Sequence, residues 1–224
     1  MKANIYEIFS SYQGEGLFVG KKQIFLRFSN CNLKCPYCDE IASRKNGNIL
    51  SIADCLSKIK NIARNENINQ ISFTGGEPLL YSDFIKSLII KSGKVFFYIL
   101  ETNGTLPQEL KKVIDYIDIV SMDIKLPSMT GVVLWDKHTD FLKLASRKTY
   151  IKVVVRAKTP LTEFEKAVDI IYEIDEKIPF FIQPESDEFK NGNLFLYDKF
   201  YNIASKKLKD VRVLPQMHKL WGVK

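Results

Sequence analysis

No stretch of the 224-residue chain approaches the roughly 18 consecutive apolar residues of a membrane span. The segment Met1 to Ser10 carries Glu7 and lacks the long apolar run of a signal peptide. The expected compartment is therefore the cytoplasm, where thiols stay reduced. Glycine and proline are scarce, 11 and 8 residues, which excludes collagen-like and low-complexity chains. Internal repeats and blocks of five or six like charges are absent. The net charge of +7 is instead scattered, in pairs such as Lys21-Lys22, Lys111-Lys112 and Lys206-Lys207. That pattern reads as solvated helix faces, with neither a nucleic acid nor a membrane as partner. A small anionic substrate or an acidic redox protein suits it better. Cysteine occurs only four times and histidine twice, so no disulfide framework is expected.

What is present is a globular composition, 46% hydrophobic and 26% charged, at a length that suits one large domain covering 1–224. A chain of this size buries roughly 70% of its unfolded surface and needs neither disulfide nor metal merely to fold. Short runs of branched and aromatic residues recur: Gln23–Phe28, Ile71–Thr74, Val95–Leu100, Ile117–Met122, Tyr150–Val155, Phe180–Gln183 and Val211–Leu214. Helical patterns lie between them. Ser51 caps Ile52, Leu56, Ile59 and Ala63 on one face; Ser82 precedes Phe84, Leu88 and Ile89, with Gly93 as the stop. Thr162-Glu163-Phe164-Glu165 has the form of a capping box. Alternating strands and helices predict an α/β chain with mostly parallel strands. The length falls short of the roughly 250 residues of a closed eight-stranded barrel, so an open partial barrel of six or seven strands is expected.

Polar clusters follow nearly every predicted strand, where parallel α/β proteins build their sites. They include Ser29-Asn30-Cys31, Thr74-Gly75-Gly76-Glu77, Glu101-Thr102-Asn103-Gly104, Asp123-Ile124-Lys125 and Gln216-Met217-His218. The first opens the spacing Cys31-x3-Cys35-x2-Cys38. Three thiolates on one tight loop can hold three irons of a cubane cluster and leave the fourth open to a substrate. Structural zinc needs a fourth ligand, and Cys55, His138 and His218 do not stand at a zinc-finger spacing. Cys55, within a predicted helix, reads as a buried inert thiol.

The cysteine triplet, with aromatic Tyr37 before its last member, resembles the radical S-adenosylmethionine superfamily, and Thr74-Gly75-Gly76-Glu77-Pro78 resembles that superfamily's second motif. Tyr12-Gln13-Gly14-Glu15-Gly16, Arg27, Glu101-Thr102-Asn103-Gly104, Met122-Asp123-Ile124-Lys125 and Pro215-Gln216-Met217-His218-Lys219 are similar to the 7-carboxy-7-deazaguanine synthase family within it. The resemblance implies an open partial (β/α)6-type TIM barrel and a lyase that contracts a carboxy-tetrahydropterin ring on the way to queuosine. It implies a [4Fe-4S] cluster on Cys31, Cys35 and Cys38, S-adenosylmethionine, and Mg²⁺. It also implies a homodimer, with a flavodoxin or ferredoxin as electron donor.

Carried onto this chain residue by residue, the resemblance assigns Tyr37, Gly76, Glu77, Asn103, Asp123, Lys125 and Gln183 to S-adenosylmethionine. The Glu77 carboxylate is expected to accept from the methionine ammonium. Gln13, Gly14, Glu15, Arg27 and Thr74 are assigned to the pterin, with Glu15 accepting its N–H donors and Arg27 forking onto its carboxylate. On strand periodicity alone, Arg27 could equally point outward. The family usually has Thr or Ser two residues after the last cysteine, placed for Mg²⁺. Here Glu40 stands there, a hard oxygen ligand but longer and charged. The expectation is that Glu40 still coordinates Mg²⁺. No protein acid or base is assigned, and the roles of His218 and Trp221, in a tail that the resemblance brings over the site, are left open. Two other readings stay open: an activase of a glycyl-radical enzyme, which would not use Glu15 and Arg27, and a non-catalytic zinc module.

Overall fold

The computed structural model describes residues 1–44 and 47–223. Among these, nine strands form one sheet. The first, β1 (Lys2–Tyr12), runs antiparallel to β2 (Lys22–Phe28), pairing Phe9 with Phe25 and Glu7 with Arg27. The short β3 (Asn48–Ser51) closes that edge, antiparallel to β1. Helix α1 (Ile52–Glu66) then leads to β4 (Gln70–Gly75), which is parallel to β2. The pattern repeats through α2 (Ser82–Ser92), β5 (Phe97–Thr102), α3 (Pro107–Val113) and β6 (Ile119–Asp123). It continues with α4 (Pro127–Thr130), α5 (Trp135–Ala145), β7 (Thr149–Val155), α6 (Leu161–Ile174) and β8 (Phe180–Pro184). Helix α7 (Asp198–Ala204), β9 (Val211–Val213) and α8 (Met217–Trp221) complete it. The order is β3-β1-β2-β4-β5-β6-β7-β8-β9, with β2 and β4 to β9 all parallel. β3 and β9 are free edges, so the barrel is open. Among the described residues, no helix is long and apolar enough to cross a membrane.

The expected seven parallel strands are all present, and β1 and β3 are additions. Their antiparallel pairing extends the sheet beyond the repeating βα units. Ser51 caps α1 as expected, accepting from the Asp54 amide while Asp54 accepts from the Ser51 amide. Two other expected caps are corrected. Tyr81, not Ser82, precedes α2, and Ser82 lies inside the helix with its hydroxyl on Glu109. Pro160 precedes α6 with no side chain capping it, which puts Thr162 within the first turn. The proline ring already sets the entry backbone there, and no hydroxyl accepts from the first-turn amides.

Alternation along the parallel strands sorts their residues onto two faces. Ile24, Leu26, Phe28, Ile71, Phe73, Leu100, Val120, Met122, Ile151, Val153 and Ile182 join one apolar core with helix residues such as Ile59, Leu88, Leu110, Phe141 and Phe164. Cys55 lies in that core, fully buried. The alternate residues, among them Arg27, Thr74, Glu101, Asp123, Lys152 and Gln183, face the concave side. The β1–β2 connection folds onto that side, where Phe18 packs against Phe97 at 5.9 Å and Tyr150 at 6.4 Å.

Candidate active site

One cavity of about 320 Å³ opens on the concave face and lies within the size range of small-ligand sites. Its lining includes Cys31, Cys35 and Cys38 from the loop after β2, and Gly75 and Gly76 at the end of β4. Gln13, Gly14 and Glu15 of the β1–β2 connection line it too, as do Gln216 and His218 of the C-terminal segment.

The cysteine loop and the glycine pair are joined backbone to backbone. The Gly76 amide donates to the Phe28 carbonyl at 3.1 Å and the Glu77 amide to the Asn30 carbonyl at 2.9 Å. An added Cβ would fall on the Phe28 carbonyl at Gly75 and on the Asn30 carbonyl at Gly76, and Gly75 has φ +129° besides. Only glycine permits this approach. None of the three sulfurs is in a disulfide, and Cys31 and Cys38 are partly exposed. Burial raises the Cys31 thiol, which accepts from the Leu33 amide and lies 3.9 Å from the Asn103 side-chain nitrogen. Three sulfurs facing one cavity fit a cluster with one iron left to a cavity ligand. Cys55 and His138 do not line the cavity, while His218 groups with Glu15 and Asp39, their ligand atoms within 4.8 Å of one another.

Glu77 departs from the expectation. Its side chain is fully buried and does not reach the cavity. One oxygen accepts from the Leu79 amide at 3.0 Å and the Thr102 hydroxyl at 2.8 Å, the other from the Asn103 amide at 2.9 Å. The carboxylate therefore ties the loops after β4 and β5 together and offers nothing to a ligand's ammonium. Burial pushes its pKa up to about 7, against the pull of these neutral donors and of Lys125. Asn103 is similarly engaged: its amide nitrogen donates to Asn32 at 2.9 Å and its oxygen accepts from Thr105. Behind it His138 is buried, and burial draws its pKa down to about 4. The neutral ring's Nε2 lies 3.2 Å from the Asn103 carbonyl and donates to it.

Lys125 pairs with Asp123 at 2.6 Å and lies over the Tyr37 ring at 5.2 Å. The second Asp123 oxygen, Oδ1, is buried with no hydrogen-bond partner among the described residues. An orphaned buried acceptor at the cavity fits the hydroxyl of a bound nucleoside, which is what S-adenosylmethionine carries.

Charge pairs make up much of the remaining lining. Glu15 is ion-paired with Lys152 and accepts from Gln216 at 2.6 Å and Gln183 at 3.3 Å. Burial alone would raise its pKa. Lys152 and His218, with the hydrogen bonds from Lys152 and Gln216, outweigh burial and hold it at about 2. Gln183, expected at S-adenosylmethionine, thus belongs to the Glu15 cluster. Gln13 donates to Glu101 at 2.6 Å, and Thr74 donates to the other Glu101 oxygen at 2.8 Å. Gly14 accepts from the Met217 amide, and any Cβ there would collide with His218. Arg27 faces the cavity, which resolves its orientation, but its guanidinium is already engaged. Nη1 pairs with Glu40 at 2.5 Å and Nε with Glu7 at 3.2 Å. Burial raises the Glu40 carboxyl and Arg27 lowers it, with a net upward shift.

Lys152, Glu101 and the hydrogen bond from Gln216 to Glu15 are not among the site features expected from the sequence. A signal for Lys152 existed: a lone lysine inside Tyr150-Ile151-Lys152-Val153-Val154-Val155 must find a buried counter-ion.

Residues 26–178 match the Radical SAM superfamily. The chain is 34% identical to a 7-carboxy-7-deazaguanine synthase of Geobacter sulfurreducens, over 98% of this chain and 97% of that one. It is 36% identical to one of Methanothermobacter thermautotrophicus, over 100% and 99%. The fold is similar to the crystal structure of QueE from Escherichia coli, with a TM-score of 0.65 at 22% identity, over 97% and 95% of the two chains.

Proposed function

The chain belongs to the 7-carboxy-7-deazaguanine synthase family of the Radical SAM superfamily, and from that we propose that it contracts the ring of 6-carboxy-5,6,7,8-tetrahydropterin to 7-carboxy-7-deazaguanine with loss of ammonia. The observation that carries the reading is the joint opening of the cysteine loop, the glycine pair and Gln13-Gly14-Glu15 onto one cavity. When bound, the cluster and S-adenosylmethionine supply the radical that removes a substrate hydrogen.

The chain's own residues hold and orient. Cys31, Cys35 and Cys38 hold the cluster. The backbone at Gly76, with Asp123 Oδ1, Lys125 and Tyr37, receives S-adenosylmethionine; Asn103 lines the cavity beside them, and Glu77 braces that wall from behind. Glu15 stays ionised against Lys152 and accepts the pterin's N–H donors, with Gln13 and Gly14 beside it. Thr74, fixed by Glu101, stands between the two ligands. Arg27 receives the substrate carboxylate. Mg²⁺ is held by Glu40, which requires the Arg27–Glu40 pair to open. A flavodoxin or ferredoxin donates the electron, and the chain works in the cytoplasm as a homodimer.

The test is anaerobic incubation of reconstituted protein with the pterin, S-adenosylmethionine, Mg²⁺ and reductant. Mass spectrometry should show 7-carboxy-7-deazaguanine. Cleavage of S-adenosylmethionine with the pterin unchanged would overturn the substrate assignment.

A further inference from the structure

Arg27 faces the cavity between two carboxylates that are held in different ways. Glu7 lies directly opposite it in the β1–β2 ladder, so strand register fixes that partner. Glu40 comes from the loop after Cys38, is 36% exposed against 11% for Arg27, and takes Nη1 at 2.5 Å. The guanidinium plane rests 5.2 Å from the Phe9 ring, which holds the fork in one orientation. An incoming carboxylate needs the outer nitrogens for a two-pronged contact, and Glu40 already occupies one of them.

We propose that Glu40 is a placeholder for the substrate's carboxylate and thereby a specificity-determining residue. It keeps Arg27 neutralised until a ligand bearing its own carboxylate displaces it. A pterin without the acid group cannot replace the lost pair and leaves Arg27 with Glu40. The inference rests on the pterin reading above and adds to it a built-in competitor, set on a loop where the second partner, Glu7, is set in a strand.

The experiment is equilibrium binding, followed by pterin fluorescence, to cluster-loaded protein without added divalent cation. Two probes are used, 6-carboxypterin and pterin lacking the carboxylate, on wild type, Glu40→Gln and Glu40→Asp. Removing a part-exposed competing charge should tighten 6-carboxypterin roughly five- to tenfold in Glu40→Gln. The carboxylate-free probe should change less than about twofold. Glu40→Asp, whose shorter arm reaches Arg27 less well, should fall between. Cluster absorbance and thermal melting verify that each variant is folded. Weaker or unchanged 6-carboxypterin binding in folded Glu40→Gln overturns the placeholder, as does equal tightening of both probes. Failure of wild type and variants alike to bind either probe sinks the pterin reading instead.

Discussion

Glu77 and Glu15 are both withdrawn from water beside the same cavity, yet one is held near pKa 7 and the other near 2. Burial opposes the charge in each. The difference is in the partners. Glu77 is surrounded by neutral donors from neighbouring loops, two backbone amides and one hydroxyl. Glu15 faces a full charge, Lys152, from a strand 137 residues away. The Glu77 side of the cavity is thus fixed by neutral hydrogen bonds to that carboxylate, and the Glu15 side by an ion pair with a distant strand. Neutral donors orient a buried carboxylate without keeping it ionised; a buried lysine does both.

The sharpest way to break this division is to remove a sulfur. In Cys38→Ser, bound iron should fall to background and conversion should cease, while the apo-protein's stability moves by less than about 0.5 kcal/mol, since the side chain is partly exposed. Iron retained at the wild-type ratio would show that the neutral wall is not the cluster side. Next in size is Lys152→Met. It removes the lysine that is ion-paired with Glu15 and should cost about 3–5 kcal/mol in urea unfolding. Adding Glu15→Gln to that variant should recover part of the loss, because the orphaned charge goes with it. Simple additivity of the two changes would deny that the pair is coupled.

The two carboxylates also predict opposite responses to pH. The Glu77 pKa is raised in the folded state, so its contribution is fully present below about 4.5 and is lost as pH climbs through about 7. Glu15 is lowered, so its contribution is present above about 4.5 and lost as pH falls toward 2. A shift from 4.5 to about 7 corresponds to roughly 3 kcal/mol for Glu77. Glu77→Gln should therefore be destabilised by about 1–3 kcal/mol at pH 5, where an amide now faces the Asn103 amide, and the gap to wild type should shrink toward pH 8. Chemical denaturation at both pH values checks it. A wild-type slope preserved in the variant would mean that another group titrates.

The same contrast explains what could be read without coordinates. The parallel strands and the cysteine loop are written in contiguous residues, and so is the glycine pair whose tight approach demands glycine. Strand β1 escaped because Lys2–Tyr12 mixes exposed, half-buried and buried positions without clean alternation. The polar face of the parallel strands was equally hidden: both faces are covered, so Arg27 gave no periodic clue to its side. The Glu15 cluster was illegible for a different reason. Gln13 meets Glu101 88 residues on, and Glu15 meets Gln216 201 residues on, distances over which local patterns carry no information. The family resemblance named Arg27 and Glu40 separately, and only the fold shows that they hold each other.

Even local signals divide by whether the backbone needs them, and the smallest prediction tests this. Ser51-Ile52-Ala53-Asp54 and Thr162-Glu163-Phe164-Glu165 look alike as helix starts, but only the first forms reciprocal bonds. Ser51→Ala removes the acceptor for the Asp54 amide and should cost about 1 kcal/mol. Thr162→Ala removes no cap, because Pro160 already starts α6, and should change stability by less than about 0.5 kcal/mol. Thermal melting of the two variants compares them directly. At 224 residues the first loss amounts to about 2–4 °C, and the second falls below half of that. Equal losses would place Thr162 at the cap after all and move the start of α6 by two residues.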